Sequence, residues 1–145
     1  MNKNAQLLFR EFTANDFLDV LPLIQQVSAF TPNPEDQKQI LLSFLNAENS
    51  YSIVVLQLDQ IIGFGSIILY HRVRGGKTAI IEDIVIKQKF RNLGIGKQLI
   101  EKLIIFAKKN GCYKIILEAN EQSKAFYSAI GFNTGGPVMK LMLDK

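Results

Sequence analysis

A strand-forming run, a glycine turn and an amphipathic stretch follow one another directly at 82–110, and that order constrains the fold more than any other part of the chain. EDIVI (82–86) ends, RNLGIG (91–96) turns, and KQLIEKLIIFAKKN (97–110) carries apolar residues at helical spacing. A helix that leaves a glycine turn has no intrahelical acceptors for its first backbone N–H groups. Glycine also removes the Cβ that would keep a ligand away from them. The helix dipole reinforces this arrangement, so the turn reads as an anion site. R-x-x-G-x-G is neither the dinucleotide fingerprint G-x-G-x-x-G nor the P-loop, which needs G-K-[ST]. The expectation is a diphosphate cradle of another kind.

Upstream, Thr13 to Asp16 reads as a helix start with Phe17, Leu18, Leu21, Ile24 and Val27 at helical spacing, and Pro22 is predicted to kink or split that helix. TPNP (31–34) breaks the chain. Asn33 then caps a second helix with Pro34 at its first position and Ile40, Leu41, Phe44 and Leu45 on the buried face. YSIVVLQ (51–57) and IIGFGSIILY (61–70) form a hairpin in which Gly63 and Gly65 mark a bulge or a close backbone approach. His71 to Lys77 is a basic loop and TAIIEDIVI (78–86) a third long strand. After the helix from about 95 to 109 and its stop at Gly111 come a strand (113–119), a short helix within 120–132 and a closing strand, PVMKLML (137–143). The order is two helices, three antiparallel strands, then helix, strand, helix, strand. That describes one domain, 1–145, of mixed α/β class.

Charge sharpens the picture. Residues 1–71 hold three basic and seven acidic side chains, whereas 72–124 hold twelve basic and five acidic ones. The excess is expected around the glycine turn, as a solvated surface or the setting of a phosphate-rich small ligand. No basic run interleaved with aromatics points to nucleic acid. No apolar run is long enough to span a bilayer, and the N-terminus lacks the apolar segment of a signal peptide. Cys112 is the one cysteine and His71 the one histidine, so neither an internal disulfide framework nor a metal site is expected. A reducing, cytoplasmic setting fits this usage.

R-x-x-G-x-G after a strand, followed by a helix, a strand, Asn120 and Phe126-Tyr127-x-x-x-Gly131-Phe132, resembles the GNAT superfamily of acetyl-CoA-dependent N-acetyltransferases. IEDIVI (81–86), GCYKIILE (111–118) and FYSAIGF (126–132) are similar to the glucosamine-6-phosphate N-acetyltransferases within it. TPNPEDQ (31–37) is similar to that group's short Thr-Pro helix start. The resemblance implies a central twisted mixed sheet with splayed strands and flanking helices, acetyl-CoA as donor, and a small amine acceptor, phosphorylated in the sugar-phosphate group. It also implies a homodimer that pairs through the C-terminal strand.

The same resemblance assigns roles. Arg91, Asn92, Leu93, Gly94, Ile95, Gly96 and Lys97 would grip the coenzyme's pyrophosphate. Ile84, Val85 and Ile86 would pair through their backbones with the pantetheine arm, and one of their N–H groups would hold the oxyanion. Asn120 and Ser123 would contact the coenzyme, although Asn120 reads equally well as a helix cap. Tyr127 would serve the departing thiolate as acid or hydrogen-bond donor; the alternative is a core aromatic with a wet hydroxyl. Glu82 and Glu118 would bind the ammonium and help remove its proton. For each carboxylate, a surface or ion-pair role stands beside the catalytic one. Strand alternation puts 82, 84 and 86 on one face and Asp83 and Val85 on the other, so one of Glu82 and Asp83 should face the cleft. Thr31 and Lys140 complete the acceptor side. Lys140 would stand in as a point charge for the arginine that the sugar-phosphate enzymes carry where this chain has Met142. The loop 71–77 is a second source of phosphate contacts. Two other readings remain open at this level: a GNAT enzyme for a polyamine, amino acid or protein amine, and a coenzyme-binding module without turnover.

Overall fold

A computed structural model describes residues 5–143. Five strands form one sheet in sequence order: β1 (Leu7–Glu11), β2 (Ser50–Gln57), β3 (Gln60–Tyr70), β4 (Lys77–Ile86) and β5 (Cys112–Leu117). The first four are antiparallel, and β5 runs parallel to β4. A parallel neighbour needs a crossover, and α3 (Ile95–Lys109) supplies it. The other helices are α1 (Phe17–Ile24), α2 (Gln37–Leu45) and α4 (Lys124–Ile130).

Two apolar layers follow from strand alternation. Ile53 and Val55 of β2 join Ala79 and Ile81 of β4 against Ile95, Leu99, Ile100 and Leu103 of α3. Val54 and Leu56 face the other way, with Phe64 and Val85, onto Phe12, Val20 and Leu23. The β2–β3 hairpin turns at Leu58 and Asp59, both left-handed (φ 50° and 61°), the pairing demanded by a tight two-residue turn. Both expectations for Gly63 and Gly65 are met. The register shifts beside them, and a Cβ would stand 2.7 Å from Ile86 Cδ1 at Gly63 and 2.6 Å from Ile84 Cδ1 at Gly65.

Several expectations need correction. LLFRE at 7–11 forms β1, an edge strand that sequence reading left unassigned. α1 runs through Pro22 to Ile24 without splitting. Its buried residues are Val20 and Leu23, while Leu18 and Val27 lie in solvent. The tail 137–143 forms no strand, because it finds no ladder partner among the described residues. Val138, Met139, Leu141, Met142 and Leu143 are each at least 60% exposed. Alternation also fails within β4. Ser66 pairs with Glu82, but two residues back along β3 Phe64 pairs with Val85, so β4 carries one extra residue. Asp83, at φ 55°, absorbs that bulge. Ile84 and Ile86 therefore return to the α3 face with Ala79 and Ile81, rather than sharing a face with Glu82.

Candidate active site

The β4–β5 ladder runs from Lys77–Cys112 to Ile81–Leu117 and then stops. β4 continues to Ile86, held to β3 through Val85–Phe64 and Ile86–Gly63, and the Lys87 N–H donates to the Ile62 carbonyl at 2.7 Å. One edge of residues 83–86 thus lies open where the two strands part. An open strand edge accepts an extended amide-bearing ligand as an added strand.

The glycine turn sits at the end of this opening. Asn92 (φ 64°) and Gly94 (φ 81°) are left-handed, and α3 begins at Ile95 with Gly94 as its cap residue. The first helical bond runs from the Gln98 N–H to the Gly94 carbonyl. Among the described residues no acceptor takes the N–H groups of 92–97. No side chain stands within 4 Å of a Cβ built at Gly94. Unpartnered N–H groups on a helix N-terminus suit a diphosphate. Gly96 serves packing instead: a Cβ there would lie 3.3 Å from Phe126 Cζ and 3.8 Å from Ile86 Cγ1. The close approach brings α4 down onto the starts of α3 and the end of β4.

That contact positions Tyr127. Its ring meets Phe126 edge-on at 5.0 Å and Phe132 at 5.9 Å. Burial pushes the phenol above its ordinary value, so it stays protonated at neutral pH. Its hydroxyl has no hydrogen-bond partner among the described residues. Asn120 and Ser123 form a reciprocal box at the entry to α4. The Ser123 N–H donates to Asn120 Oδ1 at 2.8 Å and the Asn120 N–H to Ser123 Oγ at 3.1 Å. α4 starts at Lys124 with Ser123 as its cap residue, so Asn120 holds the turn before the helix instead of capping a helix from 121, and its Nδ2 has no acceptor among the described residues.

Glu82 and Asp83 both reach solvent, because the bulge denies either one a buried place, yet both are crowded by protein. Burial raises the Glu82 carboxyl, with the Asp83 charge adding to it, and burial raises Asp83. Neither makes an ion pair or hydrogen bond among the described residues. Glu118 lies one residue past β5 and pairs with Lys140 at 2.5 Å. These two expected acceptor groups therefore occupy each other. Thr31 is exposed and lines a cleft of about 460 Å³ with Pro32, Asn33, Asp36, Gln39 and Ile40.

The basic loop and the glycine turn lie at opposite ends of β4: Lys77 opens the strand, Ile86 closes it, and ten residues span about 30 Å. Lys77 Nζ donates to the Asn110 carbonyl at 2.7 Å, closing the end of α3, and Arg72 Nε donates to Thr78 Oγ1 at 3.3 Å. Neighbours in sequence are here separated by a strand length, so the charge excess is divided between both ends of β4. Cys112 also sits at the far end, its thiol raised by burial despite nearby Lys77. Sequence reading missed Gln26, whose side chain meets Arg91; nothing in its surroundings marks it, because the partner is 65 positions away.

A profile of the acetyltransferase (GNAT) family matches residues 15–132. The chain is 36% identical over 86 residues to a glucosamine 6-phosphate N-acetyltransferase of Trypanosoma brucei brucei, covering 58% of each chain. It is 34% identical over 100 residues to glucosamine 6-phosphate N-acetyltransferase 1 of Dictyostelium discoideum, covering 66% of this chain and 64% of that one. The matches therefore span less than two thirds of these relatives' length. The crystal structure of glucosamine-6-phosphate N-acetyltransferase from Arabidopsis thaliana shares the fold, with a TM-score of 0.86 over 96% of this chain and 99% of that one at 23% identity.

Proposed function

This chain belongs to the GNAT acetyltransferase family, and from that premise we propose that it moves acetyl from acetyl-CoA to the primary amine of D-glucosamine 6-phosphate. The observation that carries the reading is the parting of β4 from β5 beyond Ile81 and Leu117, directly beside a turn of unpartnered N–H groups. The residues fit the donor. The open edge at Ile84, Val85 and Ile86 suits the amides of a pantetheine arm, and Asn92 to Lys97, with Arg91, suit its diphosphate. The donor supplies an acetyl thioester, and the chain supplies positioning and proton handling. Tyr127, kept protonated by burial, donates toward the departing sulfur. Glu82 and Asp83 draw the ammonium in, and Glu82, directly or through water, takes its proton. A backbone N–H at 84–86 meets the charge that develops on the carbonyl oxygen. Attack is direct, without an acyl-enzyme, since Cys112 lies at the wrong end of β4.

The acceptor assignment draws on the names of the relatives. The Glu118–Lys140 pair favours a second reading, an amine without a 6-phosphate, because Lys140 is then a structural cation rather than a phosphate contact. A cytoplasmic homodimer belongs to the proposal as well. The exposed apolar tail 137–143 and the outer edge of β5, which no strand covers among the described residues, suit pairing between two copies. Val138→Asp with Leu141→Asp should then give a monomer by light scattering, and an unchanged mass would remove the tail from the interface. Turnover is tested by incubating protein, acetyl-CoA and a panel of amines and identifying the N-acetyl product by NMR. Product from other amines alone overturns the acceptor. Coenzyme binding without any product leaves a binding module.

A further inference from the structure

Arg91 opens the glycine turn, and its side chain is anchored twice. Nε donates to the Ile86 carbonyl at 2.9 Å, and Nη2 donates to Gln26 Oε1 at 2.9 Å. Gln26 stands just beyond α1, where its own N–H donates to the Leu23 carbonyl at 3.0 Å. A guanidinium carries five donors in a rigid plane. Nε and Nη2 each donate to a protein oxygen. Nη1 meets no acceptor among the described residues, which leaves that edge of the plane free, and the residue is exposed beside the unpartnered N–H groups of 92–97. A planar guanidinium held in this way suits a phosphate oxygen.

We infer that Gln26 is a positioning residue for the coenzyme's diphosphate: it fixes the plane of the Arg91 guanidinium so that its free edge faces the anion. The inference rests on the glycine turn being the diphosphate grip. Ile86 alone holds only one point of the fork, and the plane could swing about that bond. Gln26 supplies the second point and removes the swing, so less side-chain freedom is lost when the anion binds. It also ties the segment leading to the Thr31 cleft to the phosphate turn, although the two lie on separate elements. Gln26 itself touches no ligand.

The test uses the full chain, coenzyme A and acetyl-CoA, with Gln26→Met, Arg91→Ala and the double variant. Methionine keeps the length of the side chain and lacks the acceptor. Gln26→Met should raise the coenzyme A Kd and the acetyl-CoA KM about fivefold, with kcat at saturation within about twofold of the parent. Arg91→Ala should raise them further, and the double variant should be no worse than Arg91→Ala, because Gln26 acts only through the guanidinium. Tight binding by the parent together with an unchanged Kd in Gln26→Met overturns the inference alone. So does an effect of Gln26→Met that persists in full on the Arg91→Ala background. A parent chain that fails to bind coenzyme A overturns the underlying reading of the turn, and this inference with it.

Discussion

Ile81 pairs with Leu117, and no pair follows it. β4 keeps its other partner for five more residues, so the sheet opens on one side only. The bulge at Asp83 lies immediately beyond that last rung, and the glycine turn follows at the end of β4. The open strand edge, the two carboxylates and the turn of unpartnered N–H groups that the proposal uses are thus arranged by one local event in the sheet.

The cradle depends on a left-handed residue that only glycine adopts without cost. Gly94→Ala should lower stability by about 1 kcal/mol, from backbone strain alone, since open space surrounds the site. It should also raise the acetyl-CoA KM about tenfold by placing a methyl among the unpartnered N–H groups. Chemical denaturation and steady-state kinetics check the two effects separately.

Tyr127→Phe should lower kcat by about 10²-fold with little change in KM if the hydroxyl serves the leaving sulfur. Stability should stay within about 0.5 kcal/mol, because that hydroxyl has no partner among the described residues to lose. The raised phenol puts any alkaline limb from Tyr127 above pH 10, the ordinary tyrosine value being about 10. An unchanged kcat where chemistry limits the rate would remove the role.

The proton-acceptor role proposed for Glu82 requires its ionised form, so kcat/KM should fall as pH drops through its carboxyl. Burial and the Asp83 charge raise that group, so the acid limb should lie above the ordinary glutamate value of about 4.3. Asp83→Asn removes one cause and should move the limb to lower pH. Glu82→Gln should abolish the limb and cut kcat/KM by about 10²-fold. A limb that Asp83→Asn leaves in place would detach the two carboxylates.

Asp16 is nearly buried and carries the join between β1 and the helix entry. It takes two 2.8 Å bonds from Arg10 and bonds from the Thr13 N–H (2.8 Å) and hydroxyl (3.1 Å). The Arg10 hydrogen bonds hold its carboxyl below the ordinary range, against the opposing pull of burial. A depressed folded value means stability that is present above the unfolded value, about 3.9, and lost as pH falls through the lower folded one. Asp16→Asn should cost about 1–2 kcal/mol at pH 7, moderated because Arg10 stays partly in water. The gap from the parent should close in acid, as urea titrations at two pH values would register.

What could be read from the chain was what neighbours decide. The turn at 91–96, α3 and the Gly131 stop depend on residues within one or two turns, and those appear where expected. Asp83 could not be read that way. Its left-handed backbone comes from the register between β3 and β4, set by Phe64 and Ser66 nearly twenty positions away. β1 escaped notice because five residues with two half-buried apolar side chains carry little period-2 signal. The basic loop was misplaced because proximity in sequence across β4 is separation in space. Glu118 and Lys140 were both expected on the acceptor, and their mutual pairing depends on where an unpaired tail comes to lie.

The central claim is acetyl transfer to a phosphorylated amino sugar, and initial rates of free-thiol release test it most directly. With acetyl-CoA saturating, kcat/KM for D-glucosamine 6-phosphate should exceed that for glucosamine by about 10²-fold or more, the worth of a recognised phosphate. Equal values for the two sugars, or release only with unrelated amines, would contradict the account.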